Sequence, residues 1–227
     1  MKKNNPYIIA EIGINHNGKK NDLIKLIYSA KKAGANAVKF QLFKAETLAD
    51  KNLKDKDYYS IKDKKETLYQ MWKKFEINEV KLKLINEICK KINIDLIFSV
   101  FDYESLKKLK KIKYKYLKIA SSDINDFPLL KRIKLLKKKV IISLGMYDFK
   151  KNPLPFKGEN IIYLYCVSKY PTSLSEIEMP DFKKDFFQGF SDHTIGISAC
   201  IYAASRGAEY LEKHYSNNKI FWLRIKF

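Results

Sequence analysis

The chain holds three histidines, and two of them end short strand-like runs: His193 closes QGFSDH and His214 closes YLEKH. Neutral imidazoles at such positions suit a divalent transition metal, with coordination sites left open for a substrate. Either one alone reads as a hydrogen-bonded structural histidine, but on adjacent strand ends the two would converge. His16, in Asn15-His16-Asn17-Gly18, is a loop residue whose plain role is to stabilise a turn. Lys39 in AVKFQ and Lys118 in YLKIAS differ from the other lysines because each sits inside an apolar run. A buried ammonium is costly unless an anion meets it. With hydroxyls at Ser99, Ser121 and Ser191, the two would form a cradle for phosphate and carboxylate. A Schiff-base lysine, as in class I aldolases, is the competing chemistry. A buried ion pair with Glu11 or Glu212 is the structural alternative.

These residues act together only if a scaffold gathers them. Short apolar runs alternate with amphipathic stretches along the chain. Strands are predicted at Tyr7–Ile12, Ala37–Leu42, Asp95–Val100, Tyr116–Ala120, Val140–Gly145, Ile161–Val167, Gln188–His193 and Tyr210–Tyr215. Helices are predicted at Asp22–Ala33, Glu79–Ile92 (with Val80, Leu84, Ile88 and Cys89 on one face), Tyr103–Ile112, Phe127–Leu136 and Ile197–Arg206. A short helix is expected near Phe182–Phe187. The long polar stretch Phe43–Phe75 is too long for an ordinary connection and is expected to hold a lid or an added helix around Leu68–Phe75. Eight strands in βα alternation predict a TIM (β/α)8 barrel, whose chemistry gathers at the C-terminal strand ends. Glu11, Lys39, Gln41, Ser99, Lys118, Ser143, Ser191, Glu212 and His214 fall there, and period-2 alternation puts Lys39 with Gln41, Ser191 with His193, and Glu212 with His214. Met146–Asn160 contains Pro153, Pro155 and Gly158 and offers no helical stripe, so helix 5 is expected to be shortened.

Composition narrows the function classes. The 227 residues are 46% hydrophobic, enough for a core despite a net charge of +20. No apolar run is long enough to span a membrane, and Glu11 cuts the N-terminal one too early for a signal-peptide core. A cytoplasmic protein is therefore expected. Cys89, Cys166 and Cys200 are widely spaced in apolar contexts and read as reduced core residues. The charge invites a nucleic-acid reading, but 42 of the 45 basic residues are Lys and only three are Arg. Specific phosphate and base recognition leans on Arg forks. A solvated lysine surface is expected, with no specific nucleic-acid partner.

The strings AEIGINHNG, AGANAVKFQLFKAETL, LKIASSDINDFPLL, VIISLGM, YCVSKYPT, GFSDHTIGI and RGAEYLEKHY resemble the sialic acid synthase (N-acetylneuraminate synthase) family, in family order over about residues 7–215. The resemblance implies condensation of phosphoenolpyruvate with an N-acetylmannosamine-type sugar and release of phosphate. It implies a divalent metal, manganese with magnesium or cobalt as alternatives, on His193 and His214. It implies a phosphoenolpyruvate site on Lys39 and Lys118, with Ser99, Ser121, Ser168, Tyr170 and Ser191 at further phosphate- and carboxylate-binding positions. Glu11 and Asp123 match the acidic positions near the sugar and the reacting centre, where the family more often has Glu at the latter.

Three departures from the family pattern stand out. The helix 5 segment is short. After His214, the stretch SNNKIFWLRIKF matches neither the family's acidic sugar-binding stretch nor its closing helix, so helix 8 is expected to be missing and residues 216–227 to form a divergent tail. The family's antifreeze-like domain, which in the homodimer lends an arginine to the partner's active site, has no counterpart in this sequence. The abrupt divergence resembles a frameshifted or prematurely ended gene product. On that reading the chain is an inactive, aggregation-prone remnant that still binds phosphoenolpyruvate or metal.

Overall fold

The computed structural model describes residues 5–51 and 67–217. Eight parallel strands close into a barrel in sequence order: β1 (Tyr7–Gly13), β2 (Ala37–Leu42), β3 (Asp95–Val100), β4 (Tyr116–Ile119), β5 (Val140–Ser143), β6 (Ile161–Cys166), β7 (Gly189–Asp192) and β8 (Tyr210–His214). Closure comes from β1 pairing with β8, in a register that sets Glu11 opposite His214. The predicted TIM barrel is therefore the observed fold.

Alternation along the strands sorts the interior into layers. Tyr7, Tyr116 and Tyr210 pack edge-on or tilted at the N-terminal end, with ring centroids 5.6–6.2 Å apart. Ile9, Ala37, Ile97, Ile141, Ile162 and Leu164 fill the middle. Two residues further along the same strands come Glu11, Lys39, Ser99, Ser143 and Cys166, so beyond the apolar middle layer the inner face turns polar toward its C-terminal end. The outer strand faces carry the larger core, with Phe40, Phe98, Leu117, Ile142 and Phe190 packed under the helices.

The helices are α1 (Lys20–Lys32), α2 (Ala45–Leu48), α3 (Leu68–Phe75), α4 (Glu79–Lys91), α5 (Tyr103–Lys108), α6 (Phe127–Leu135) and α7 (Ser198–Ser205). Their starts follow from capping: the side chains of Asn78, Asp102 and Asp126 each accept a backbone N–H of the first turn of α4, α5 and α6. The extra helix expected at Leu68–Phe75 is α3. It packs Leu68 and Trp72 against Phe43 and Ala45 beside the barrel mouth.

Several details depart from the sequence reading. In α4 the buried face is Leu82, Ile85, Ile88 and Cys89, while Val80 is 71% exposed. The helix expected over Tyr103–Ile112 gives way after Lys108 to a 3-10 turn at Leu109–Lys111. Phe182–Phe187 is not helical: it forms turns and a bend, from which Phe182 and Phe187 reach the core. The β6–β7 connection carries a 3-10 turn at Leu174–Glu176 instead. β4 stops before Ala120, and β7 stops before His193. Between β5 and β6 the shortened helix expected there is absent altogether, and Tyr147, Phe149, Leu154 and Phe156 cover the barrel from turns and irregular chain. The expectation of a missing helix 8 falls mostly on residues 218–227, outside the described residues.

Candidate functional site

The eleven residues assigned catalytic, binding or metal roles from the sequence all line one cavity of about 540 Å3 at the C-terminal mouth: Glu11, Lys39, Lys118, Asp123, Ser99, Ser121, Ser168, Tyr170, Ser191, His193 and His214. Gln41, Ser143, Cys166 and Glu212 line it too, and Phe43, Leu48, Leu68, Trp72 and Phe101 form an apolar wall on one side.

The floor is a cluster of two ammonium and two carboxylate groups. Lys39 Nζ lies 2.8 Å from Glu11 Oε2 and 3.8 Å from Glu212 Oε1, and it donates to Ser99 Oγ at 2.9 Å. Lys118 Nζ lies 3.9 Å from the same Glu212 oxygen and donates to Ser143 Oγ at 2.7 Å and the Ile119 carbonyl at 3.2 Å. Ser191 Oγ donates to Glu212 Oε1 at 2.9 Å, and Gln41 Nε2 to Glu11 Oε1 at 3.3 Å. Lys39 and Lys118 are 4% and 2% exposed, so the buried ion pair weighed for them is present. It does not compete with a binding role, because both lysines also face the cavity.

Burial acts on these groups unequally. It works against the charge on Lys39, but Glu11 and Glu212 outweigh it and raise its pKa. At Lys118 burial dominates and the pKa falls. Burial pushes Glu11 up, against the pull of Lys39. Glu212 resists burial because Lys118 and Lys39 both face it, and it is held down to about 2. Asp123 closes a 3-10 turn after β4 (Ser121–Asp123); burial raises it to about 6 although Ser122 Oγ donates to it at 2.9 Å.

The two histidines sit at the rim with ring centroids 5.8 Å apart. Burial lowers His193 to about 4 and His214 to about 3, so both are neutral at neutral pH. His193 Nδ1 lies 2.7 Å from the Val167 carbonyl, an acceptor only, which puts the proton on Nδ1 and leaves the lone pair on Nε2. Tyr170, whose phenol burial keeps protonated, donates to that nitrogen at 2.6 Å. Neutral imidazoles, one with its tautomer fixed by a backbone carbonyl, fit a divalent cation. Among the described residues no cluster of three or more His, Cys, Asp or Glu is placed to hold a metal ion, so the fit rests on the two imidazoles.

Gly145 and His16 complete the local picture. A Cβ on Gly145 would lie 2.4 Å from Ser168 Oγ and 2.9 Å from the Cys166 carbonyl, so only glycine leaves Ser168 its place. The Gly145 N–H in turn donates to Ser121 Oγ at 3.0 Å. His16 does not line the cavity. Its Nδ1 accepts the Gly18 N–H at 3.0 Å, the turn role expected of it. Glu212, Ser143 and Gln41 belong to the site but were not assigned to it from sequence, although their strand-end positions were visible.

Barrel and cavity together define an enzyme-like strand-end site built around a buried cationic and anionic cluster. The chain belongs to the NeuB family, whose pattern matches residues 26–222. It is 35% identical over 229 residues to the N,N'-diacetyllegionaminic acid synthase of Legionella pneumophila, covering 94% of this chain and 64% of that protein. It is 38% identical over 234 residues to the Campylobacter jejuni protein of the same name, covering 96% of this chain and 69% of that one. The crystal structure of N-acetylneuraminic acid synthetase from Leptospira borgpetersenii, in complex with citrate, superposes with a TM-score of 0.80 at 31% identity, covering 98% of this chain and 78% of that one. The chain thus spans roughly two thirds of the length of these curated relatives. Among the described residues no helix is long and apolar enough to cross a membrane.

Proposed function

We propose that this cavity condenses phosphoenolpyruvate with an N-acetylmannosamine-type sugar to give a nonulosonic acid and phosphate, as a step of surface carbohydrate biosynthesis. The observation that carries the reading is the floor cluster: Lys39 and Lys118, both buried, sharing Glu212 and ringed by Ser99, Ser143 and Ser191. Two fixed cations amid hydroxyl donors match a small anion with both a phosphate and a carboxylate. The resemblances of the chain to sialic and legionaminic acid synthases support the same chemistry.

On this reading the incoming anion takes over the lysine contacts that Glu212 now makes. Ser99, Ser121, Ser168 and Ser191 add donors around it, and Tyr170 closes the rim. Carbon 3 of phosphoenolpyruvate attacks the aldehyde carbon of the open-chain sugar, forming the new C–C bond. The incoming anion that pairs with Lys39 frees Glu11, whose pKa burial raises, to take up a proton and give it to the developing alkoxide. The oxocarbenium at carbon 2 takes up water, and Asp123, near pH 6, accepts the proton this releases. The tetrahedral intermediate then breaks its C–O bond while its carbon 2 hydroxyl gives its proton to the departing phosphate, leaving a ketone and hydrogen phosphate; Asp123 then returns its proton to solvent and Glu11 regains one. His193 and His214 would hold the divalent ion, manganese or alternatively magnesium or cobalt. A bound ion of this kind supplies Lewis-acid polarisation of the sugar aldehyde. The free thiols of Cys89, Cys166 and Cys200 accord with a reducing, cytoplasmic setting.

The test is calorimetric titration of the chain with phosphoenolpyruvate in the presence of Mn2+. Saturable one-site binding that weakens on the order of tenfold or more in Lys118→Met is expected, since a charge-assisted contact is worth about 1.5–3 kcal/mol. Absence of binding, or binding indifferent to Lys118→Met and Lys39→Met, overturns the assignment.

A further inference from the structure

Each rim histidine follows a charged residue of opposite sign: Asp192 precedes His193, and Lys213 precedes His214. In the β7–β8 ladder, Asp192 and Lys213 are direct partners. Their neighbours Ser191 and Glu212 face the cavity, so alternation sends Asp192 and Lys213 to the outer face. There Lys213 Nζ donates to Asp192 Oδ2 at 2.6 Å, and Asp192 is wholly buried. The Cys200 thiol on α7 donates to the same oxygen at 3.1 Å.

The pair also grips the chain just beyond His193. Asp192 Oδ1 accepts the Thr194 N–H at 2.8 Å, and Lys213 Nζ donates to the Thr194 carbonyl at 2.7 Å. This matters because β7 ends at Asp192, and beyond it the His193 backbone is held on one side by the Thr172 N–H, which donates to its carbonyl at 3.0 Å. On the β8 side the ion pair supplies the tie, fastening the residue after His193 to the residue before His214. A buried ion pair is often no more stabilising than apolar side chains of the same volume, so stability alone does not account for it. Fixed geometry does.

Resting on the two-histidine metal reading above, we propose that Asp192 and Lys213 are positioning residues that set the spacing and orientation of His193 relative to His214 for a divalent cation. They touch neither cation nor substrate. Removing either partner lets the His193 segment drift and weakens the chelate, while Lys213→Arg keeps the clamp.

The experiment measures Mn2+ uptake by the electron paramagnetic resonance signal of free Mn2+, and the visible spectrum with Co2+, for the purified chain. Asp192→Asn and Lys213→Met are compared with Lys213→Arg, with His214→Ala, and with Asp126→Ala. The last removes the α6 cap far from the histidines and serves as the destabilised control. Asp192→Asn and Lys213→Met are expected to weaken Mn2+ binding about 10- to 100-fold, as changes behind metal ligands do, and to alter the Co2+ bands. Lys213→Arg is expected to restore most of the affinity, and Asp126→Ala to lower the melting temperature without touching it. Lys213→Met carries the same test should Asp192→Asn not fold. Wild-type affinity and spectrum in both clamp variants, with binding lost in His214→Ala, overturn the clamp alone. No Mn2+ uptake by the wild type, or uptake unaffected by His214→Ala, overturns the metal reading and the clamp with it.

Discussion

The Tyr170 hydroxyl donates to His193 Nε2 at 2.6 Å, with the two ring centroids 3.8 Å apart. Since Nδ1 of that histidine is spent on Val167, the tyrosine covers the one nitrogen with a lone pair to offer. A cation binding there must displace the hydroxyl. Tyr170→Phe is therefore expected to tighten Mn2+ binding in the absence of substrate, by about fivefold if the hydrogen bond is worth ~1 kcal/mol. Calorimetric titration of both forms checks this, and unchanged or weaker binding goes against it.

Lys118 is the lysine that burial depresses, which is the condition for a nucleophilic amine. Yet its Nζ already donates to Ser143 and Ile119 and lies near Glu212, contacts that suit an ammonium. Borohydride reduction in the presence of pyruvate or phosphoenolpyruvate is expected to leave no stable adduct on Lys118 or Lys39 by mass spectrometry. A mass gain on Lys118 would reassign the site to imine chemistry.

His16 gives the fold a pH dependence separate from the cavity. It is 1% exposed, and burial, helped by Lys81, lowers it to about 4. The unfolded chain takes up this proton near pH 6.5 and the folded chain only near pH 4. Stability therefore falls as pH drops through that window, by up to roughly 3 kcal/mol from this one group. Denaturant melts at pH 7 and pH 4.5 should show a smaller loss in His16→Gln than in the wild type. The raised Asp123 works in the opposite direction, since its contribution is lost as pH rises from about 3.8 to 6, so the comparison with the variant is the informative one. Equal slopes in both proteins would show that His16 is not the group responsible.

The sequence made the barrel legible because each strand is a short apolar run broken by a polar residue near its C-terminal end. Lys39 inside AVKFQ and Lys118 inside YLKIAS have no reason to be there except a shared polar interior. What it hid were relationships across the barrel. The ion pair weighed with Glu11 or Glu212 uses both, with Glu212 reaching the two lysines because closure brings β8 beside β1, and the Asp192–Lys213 pair needs the β7–β8 register. Helix faces were misread where apolar residues offered two overlapping stripes, so that Val80 stood in for Leu82 and Ile85. The aromatic run at Phe182–Phe187 looked helical because burial, and not helix formation, dictates its composition.

Gly145 offers a test of how tightly the serine ring is set. An alanine there meets Ser168 Oγ and the Cys166 carbonyl inside contact distance. Gly145→Ala is expected to destabilise the fold by about 1–3 kcal/mol, the usual cost of overpacking, and to weaken phosphoenolpyruvate binding by displacing Ser168. Ser168→Ala/Gly145→Ala should recover part of the stability but not the binding. A single variant that binds as the wild type does would remove Ser168 from the site.

Everything proposed for the cavity rests on the condensation itself. The direct measurement is phosphate released from phosphoenolpyruvate by the chain with Mn2+ and N-acetylmannosamine or a diacetamido analogue, followed alongside the nonulosonic acid product. Release is expected to require a sugar, to match product one for one, and to fall on the order of a hundredfold in Lys118→Met, the scale of losing one preorganised electrostatic donor. Phosphate release that ignores the sugar, or none with any of these acceptors, would contradict it.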